Sequence, residues 1–277
     1  MTDSALIAMG LFISVFKVFP AIRKEGASLM RAILFAAVGF LLCAVVTTRN
    51  ACAEYVLNLQ GAAVFTEKND VRIPGDSGTK FSLSDDLAAD SSFTGRLEAG
   101  YIHKGRDYFG IVVAPLSVES HGRADKDIRF AGTDFPAGTD LNAIFRFDSY
   151  RITWRRKLVS QDKLDVWLGV TGNIRDAAIT VEGGGQQAEK TNTGFVPLIN
   201  FLMDWRFAQP WSFRIAGDAL VGPQGRAEDV LFAMLYDVNP STKIIAGYRA
   251  LEGGADTTDV YTFSLFHFAV AGIEIRF

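Results

Sequence analysis

The stretch Tyr261 to Phe277 (YTFSLFHFAVAGIEIRF) places the tightest constraint on the fold. Phe277, Ile275, Ile273, Ala271 and Ala269 are apolar, and Arg276, Glu274 and Gly272 fall between them. This is the period of two that belongs to a strand with an oily face and a face able to carry charge. A strand of a soluble sandwich shows the same alternation, so the remaining strands, their turns and any export signal must decide which solvent the oily face meets.

The alternation recurs through the chain. Phe93, Leu97, Ala99 and Tyr101 oppose Thr94, Arg96, Glu98 and Gly100, and Tyr150, Ile152 and Trp154 oppose Arg151, Thr153 and Arg155. Leu164, Val166, Leu168 and Val170 oppose Asp165, Trp167, Gly169 and Thr171. Phe201, Met203 and Trp205 oppose Asp204 and Arg206, and Trp211, Phe213 and Ile215 oppose Ser212, Arg214 and Asp218. From Glu54 onward about ten such segments are long enough for the roughly 9–11 tilted residues that cross a membrane.

Their connections divide into two kinds. His103 to Asp107, Ser160 to Lys163, Ala208 to Pro210 and Asn239 to Thr242 are short and carry turn residues. Thr66 to Asp90, Ser120 to Asp140, Gly183 to Asn192, Gly222 to Glu228 and Glu252 to Thr258 are read as longer loops at the other end. Short periplasmic turns facing longer outer loops are the pattern of a closed, antiparallel, up-and-down transmembrane β-barrel, and with both termini on one side its strand number is even. Ten strands are expected, with eight or twelve as alternatives. Phe145 and Phe147 fall on the opposite phase from Tyr150, which predicts a bulge near Asp148 and Ser149 or a strand extended beyond the membrane. Pro197 predicts a further irregularity near the outer rim. All four Trp (Trp154, Trp167, Trp205 and Trp211) lie close to a short turn, where an indole suits the headgroup boundary; the phase of Trp167 points inward.

An export signal precedes these strands. Met30 and Arg31 lead into the apolar run Ala32 to Val46, and Ala51-Cys52-Ala53 completes an A-x-A cleavage site. The expected division is an upstream extension from a misassigned start over 1–29, a secretory signal peptide over 30–53, and the barrel over 54–277. Both cysteines, Cys43 and Cys52, fall before the barrel, which then has no thiol for a disulfide or a metal. Residues 1–53 also carry five of the 28 basic and two of the 31 acidic side chains, leaving 23 against 29. A net-acidic chain of this kind does not attract nucleic acid.

The tail Gly272, Ile275 and Phe277, in the arrangement G-x-x-I-x-F, resembles the C-terminal assembly signal of Gram-negative outer-membrane barrels. With the signal peptide, alternation and turn pattern, the chain over 54–277 resembles small outer-membrane barrel proteins, the outer-membrane protein A-like, opacity-like and small porin-like group. Arg72 to Thr79, Phe145 to Arg155 and Leu251 to Tyr261 are similar to barrels of this type with no assigned activity. The resemblance implies residence in the bacterial outer membrane as a monomer. Its implied partners are outer-membrane lipid and lipopolysaccharide, the barrel-assembly machinery and periplasmic chaperones.

The inward phase collects charges of both signs. Arg96, Glu98, Arg151, Arg155, Asp165, Arg175, Asp204, Arg206, Arg214, Asp218, Arg249 and Glu274 are expected to form a lumen network, with Arg276 beside them. Such charges either pair across a narrow barrel and plug it or line a narrow polar passage for small solutes. A structural or surface-interaction role follows from the first arrangement and possible solute passage from the second. An outer-membrane barrel enzyme acting on lipid or peptide and a soluble periplasmic β-protein are the alternatives. The only histidines are His103, His121 and His267, and Ser264 and His267 face opposite sides of a strand, so no simple hydrolase pair arises. No catalytic residue, cofactor or metal site is expected.

Overall fold

The computed structural model describes residues 53–222 and 225–277, and no helix occurs among them. The expected upstream extension and signal peptide lie outside these residues, apart from Ala53, which begins the first strand.

In chain order the strands are β1 (Ala53–Arg72), β2 (Phe81–Ser82), β3 (Ala88–Ala89), β4 (Ser92–His103), β5 (Asp107–Ala114), β6 (Ser117–Arg123), β7 (Ile128–Phe130), β8 (Thr133–Phe135), β9 (Asp140–Ser160), β10 (Leu164–Gly183), β11 (Gln186–Ala208), β12 (Trp211–Gly222), β13 (Gly225–Asn239), β14 (Thr242–Asp256) and β15 (Tyr261–Arg276). Ten of them, β1, β4, β5 and β9 to β15, pair in sequence order, and β15 returns to β1. The sheet is therefore a closed ten-stranded barrel without an open edge, and the eight- and twelve-stranded alternatives fall. The seam is long: β1 and β15 stay paired from Val56 with Arg276 to Arg72 with Tyr261, with one register shift between Thr66 and Lys68.

The outward face carries Leu59, Phe65, Ile152, Leu168, Val170, Ile199, Phe232 and Ile244, each at least 43% exposed except Phe232 at 41%. A water-soluble surface does not sustain a continuous apolar belt of this kind, whereas hydrocarbon does. Closure of the sheet also satisfies the backbone groups that lipid cannot. The protein is an outer-membrane β-barrel, and the belt is its lipid face. At its inner margin Trp205 packs on Phe207 with ring centroids 5.5 Å apart, Trp211 meets Tyr236 at 4.9 Å, and Tyr101 stacks on Phe109 at 5.4 Å. These rings lie beside the short turns, where a headgroup-level girdle belongs. Trp167 does not join them: it is buried inside the barrel against Val56, Ile102, Tyr108 and Leu202.

Several connections differ from the sequence reading. The stretch 183–192 is mostly strand, because β10 and β11 run on in register to a two-residue turn at Gly184 and Gly185, both with positive φ. Likewise β1 reaches Arg72, β14 reaches Asp256, and β6 occupies part of 120–140. A 20-residue tilted strand rises roughly 50 Å, about twice the height of the apolar band, so these hairpins stand well clear of the membrane. Beyond that band neither face meets lipid and the alternation no longer marks a strand.

Phe145 and Phe147 produce no bulge. Pairing of β9 with β10 is unbroken from Lys157 with Trp167 to Leu141 with Gly183. Both rings share the inward phase of Arg151, so the interior itself turns from polar to apolar on the way out. Pro197 is also in register, opposite Gly172, and it lies beyond the last β12 pair, Ile199 with Ala219. There its missing N–H interrupts no ladder with β12.

The outer end is capped. β6 continues the edge of β5 along β9 after a break at Pro115 and Leu116, β3 adds to β6, β2 adds to β1, and β7 and β8 form a hairpin. Leu83, Leu87, Ile128, Phe130 and Phe135, all nearly inaccessible, join Phe145, Ile179 and Phe266 of the barrel interior in one apolar cluster.

Candidate functional site

Every barrel strand except β5 contributes a polar side chain to the middle of the lumen. Arg151 of β9 donates from Nη1 to Asp218 Oδ2 at 2.7 Å, and its Nη2 lies 2.7 Å from Asp229 Oδ2. Thr171 and Asn200 also donate to Asp218, at 2.6 and 2.8 Å. Asp229 is shared further, with Arg96 and Arg249 each 3.4 Å away. Arg249 continues to Gln60 Oε1 at 2.6 Å, and Gln60 to Asn58 at 3.0 Å. Arg214 grips Asp204 with two bonds of 2.6 and 2.8 Å and reaches Glu274 at 2.6 Å. Nearer the inner end, Tyr108 donates to Glu98 at 2.7 Å, while Arg155 lies 3.5 Å from that carboxylate and 3.9 Å above the phenol ring.

A charge taken out of water is tolerated only with a partner, and here nearly every one is met by opposite charge or by an amide. The strand register brings this about. Inward side chains at alternate positions on neighbouring strands stand within reach of each other, and a narrow barrel brings far walls together as well.

Of the expected network, Arg96, Arg151, Asp204, Arg214, Asp218, Arg249 and Glu274 belong to this lattice, with Glu98 and Arg155 as the pair at Tyr108. Asp165 and Arg206 stand apart at the inner mouth, 2.9 Å from each other, where Arg206 also caps the carbonyls of Gln161 and Asp162. Arg276 bonds to Glu274 and Glu54 at the same end. Arg175 has no carboxylate partner among the described residues; it donates from Nη2 to Asn192 Oδ1 at 2.6 Å. Asp229, the shared carboxylate of three arginines, escaped the sequence reading because it follows directly on the stretch read as a loop, whereas β13 already begins at Gly225. Asn58, Gln60, Tyr108, Thr171 and Asn200 carry no charge, so the inward pattern of charges does not mark them.

The lattice divides the interior. A cavity of about 320 Å³ lies on its outer side and one of about 50 Å³ within it, and the residues common to both linings are Arg151, Asp218 and Asp229. The outer cavity is also bounded by Thr257, Asp259 and Val260 of the last outer turn, which places it at the external end.

In the tail, Ile275 faces outward and Phe277 is exposed at the inner rim, while Gly272 faces inward, pressed against Gln60. A Cβ there would stand 2.9 Å from Gln60 Cγ, so this position of the tail is a packing requirement. Ser264 and His267 do lie on opposite faces: Ser264 is buried and donates to Asn69 Oδ1 at 3.0 Å, whereas His267 is hydrogen bonded on the outward face to Tyr248 and Glu67. His121 stands 3.5 Å from Asp90 in the outer cap, and His103 packs on Tyr101 at the inner turn.

No family model matches the chain and no curated protein resembles it in sequence. Among solved structures it is similar to the attachment invasion locus protein Ail of Yersinia pestis in complex with the heparin analogue sucrose octasulfate, at 11% identity over 81% of this chain and 99% of that one, TM-score 0.36. It is also similar to the outer membrane protein OprG of Pseudomonas aeruginosa, at 10% identity over 82% and 96%, TM-score 0.35. The transport unit of the autotransporter AIDA-I of Escherichia coli follows at 6% identity over 83% and 92%, TM-score 0.41.

Proposed function

We propose that the protein is a sealed outer-membrane barrel that works through its outer end, as a structural and surface-interaction protein rather than as an open pore or an enzyme. The observation that carries this reading is the partition formed by Arg151, Asp218 and Asp229, which separates the outer cavity from the much smaller void beneath it. Ion passage would require these charges to part, and each would lose its partner in a poorly hydrated space. The long hairpins and the packed cap then present a stable surface outside the membrane, in contact with lipopolysaccharide. Assembly machinery and periplasmic chaperones are the partners proposed for its biogenesis, and the barrel is proposed to act as a monomer.

Planar-bilayer recording of protein purified from outer membranes tests the seal. Insertion without conductance steps is the expected result, with steps emerging in Arg151→Ala. Reproducible steps of the unaltered protein, changed in size or ion selectivity by that substitution, would establish the narrow-passage reading instead.

A further inference from the structure

The outer cavity has two unlike walls. Phe145, Phe147, Ile179, Leu198, Leu251 and Phe266 line it with apolar surface, while Arg175 and Lys190 enter it from the neighbouring strands β10 and β11. Most cations of the lumen are paired, but these two are not: neither meets a carboxylate among the described residues. The Nε of Arg175 is buried with no hydrogen-bond partner, and so is the Oδ1 of Asn173, which is only 5% exposed, lies two residues before Arg175 on the same inward phase, and lines the same space. Across the hairpin from Arg175 the chain has Gly194; a Cβ there would stand 3.3 Å from the guanidinium, so the backbone leaves Arg175 its room.

Leaving a half-buried guanidinium without a counter-charge, its Nε enclosed and only its Nη2 bonded to Asn192, is unfavourable, and a barrel that pairs its other lumen arginines has evident means of pairing this one. An anion supplied from outside would meet the need. A cavity of about 320 Å³ is at the small end of ligand sites, and its mainly apolar wall calls for an apolar body on that anion. Glu228 and Asp259, also in the lining, disfavour a second negative charge. From this arrangement we infer that the outer cavity is a binding site for a small mono-anionic carboxylate bearing an apolar group. Its carboxylate is held by Arg175 and Lys190, and its body lies against Phe147 and Leu251. The inference rests on the reading of the outer end as the working surface and names the ligand class that surface takes.

Isothermal titration of the full chain in lipid nanodiscs, with phenylacetate and its neutral amide as probes, tests it. Phenylacetate is expected to bind at least tenfold more tightly than phenylacetamide. Arg175→Gln should remove that preference, and Lys190→Gln should reduce it, in protein that retains the heat-modifiable electrophoretic shift of a folded barrel. Leu251→Trp, which fills the apolar wall, should weaken both probes and serves as the second variant if Arg175→Gln does not fold. Equal affinity for acid and amide, unaltered acid binding in Arg175→Gln, or no binding of either probe would overturn the assignment. Bilayer recording on the same preparation keeps the two readings apart: conductance steps alongside intact acid binding defeat the seal and leave the site, whereas silence in the bilayer without acid binding defeats the site and leaves the seal.

Discussion

Arg214 and Glu274 meet across the lumen, Nη1 to Oε2 at 2.6 Å, although their strands β12 and β15 are not neighbours. Both side chains are at most 5% exposed. The contact ties the last strand of the barrel to β12, three strands round the wall, and through Asn58 and Arg276 it ties the same carboxylate to the first strand and the inner rim.

Removing one member of such a set leaves a buried charge without its counterpart. Arg214→Met strands Asp204 and leaves Glu274 only Arg276 and Asn58 as partners, and is expected to destabilise the barrel by about 3–5 kcal/mol. Glu274→Gln keeps the shape and leaves Arg214 bound to Asp204, so its loss should be smaller. Urea unfolding of refolded protein in micelles, followed by loss of the heat-modifiable species, gives the order; an equal or greater loss in Glu274→Gln would contradict it.

Asp229 has a different place in the lattice, as one carboxylate for three guanidiniums. In Asp229→Asn, Arg151 retains Asp218, but Arg96 and Arg249 have no other carboxylate within ion-pair distance among the described residues. The variant should unfold at lower temperature, and adding Arg96→Met should recover part of the loss by removing one unpaired cation. A double variant as destabilised as the sum of the two single changes would show that the sites do not interact.

Much of this architecture is legible from alternation alone, because within the membrane the two faces of each strand meet different solvents. Leu168 and Val170 opposite Trp167, Gly169 and Thr171 already give the face and direction of β10. The rule fails where the solvents cease to differ. At Phe145 and Phe147 the inside is as apolar as the outside, so an oily residue no longer reports a lipid face. Along 183–192 the outward face meets water rather than lipid, and inward only Ala188 is an apolar residue packed in the core, so the stretch carries no apolar period. The lattice was legible as a set of inward charges but not as a set of pairs, since which arginine meets Asp229 depends on strand register and on distances across the barrel.

Close backbone packing sets a further expectation at Tyr108, whose ring lies between Gly100 and Gly110 while its hydroxyl serves Glu98. A Cβ on Gly100 would stand 2.6 Å from both Cζ and Oη of that ring. Tyr108→Phe removes only the hydrogen bond and should cost about 1–3 kcal/mol. Gly100→Val must displace the whole ring, losing the Arg155 stacking as well, and should cost more by urea unfolding. A Gly100→Val barrel as stable as Tyr108→Phe would mean that the ring has free space to move into.

The tryptophans separate the two environments most directly. Trp205 and Trp211 are 48% and 44% exposed on the outward face, whereas Trp167 is 7% exposed inside the barrel. In nanodiscs of brominated lipid, single-tryptophan variants retaining Trp205 or Trp211 should be strongly quenched, because bromine quenches an indole only at contact range. The variant retaining Trp167 should keep its fluorescence, since the sheet stands between that ring and every acyl chain. Truncation should follow the opposite order: Trp167→Ala empties a packed interior site and is expected to cost about 3–5 kcal/mol, while Trp205→Ala opens no cavity because lipid fills the space. Quenching of Trp167 equal to that of Trp205 would place it on the lipid face and reverse the inward assignment of the whole β10 phase, including Thr171 and Arg175.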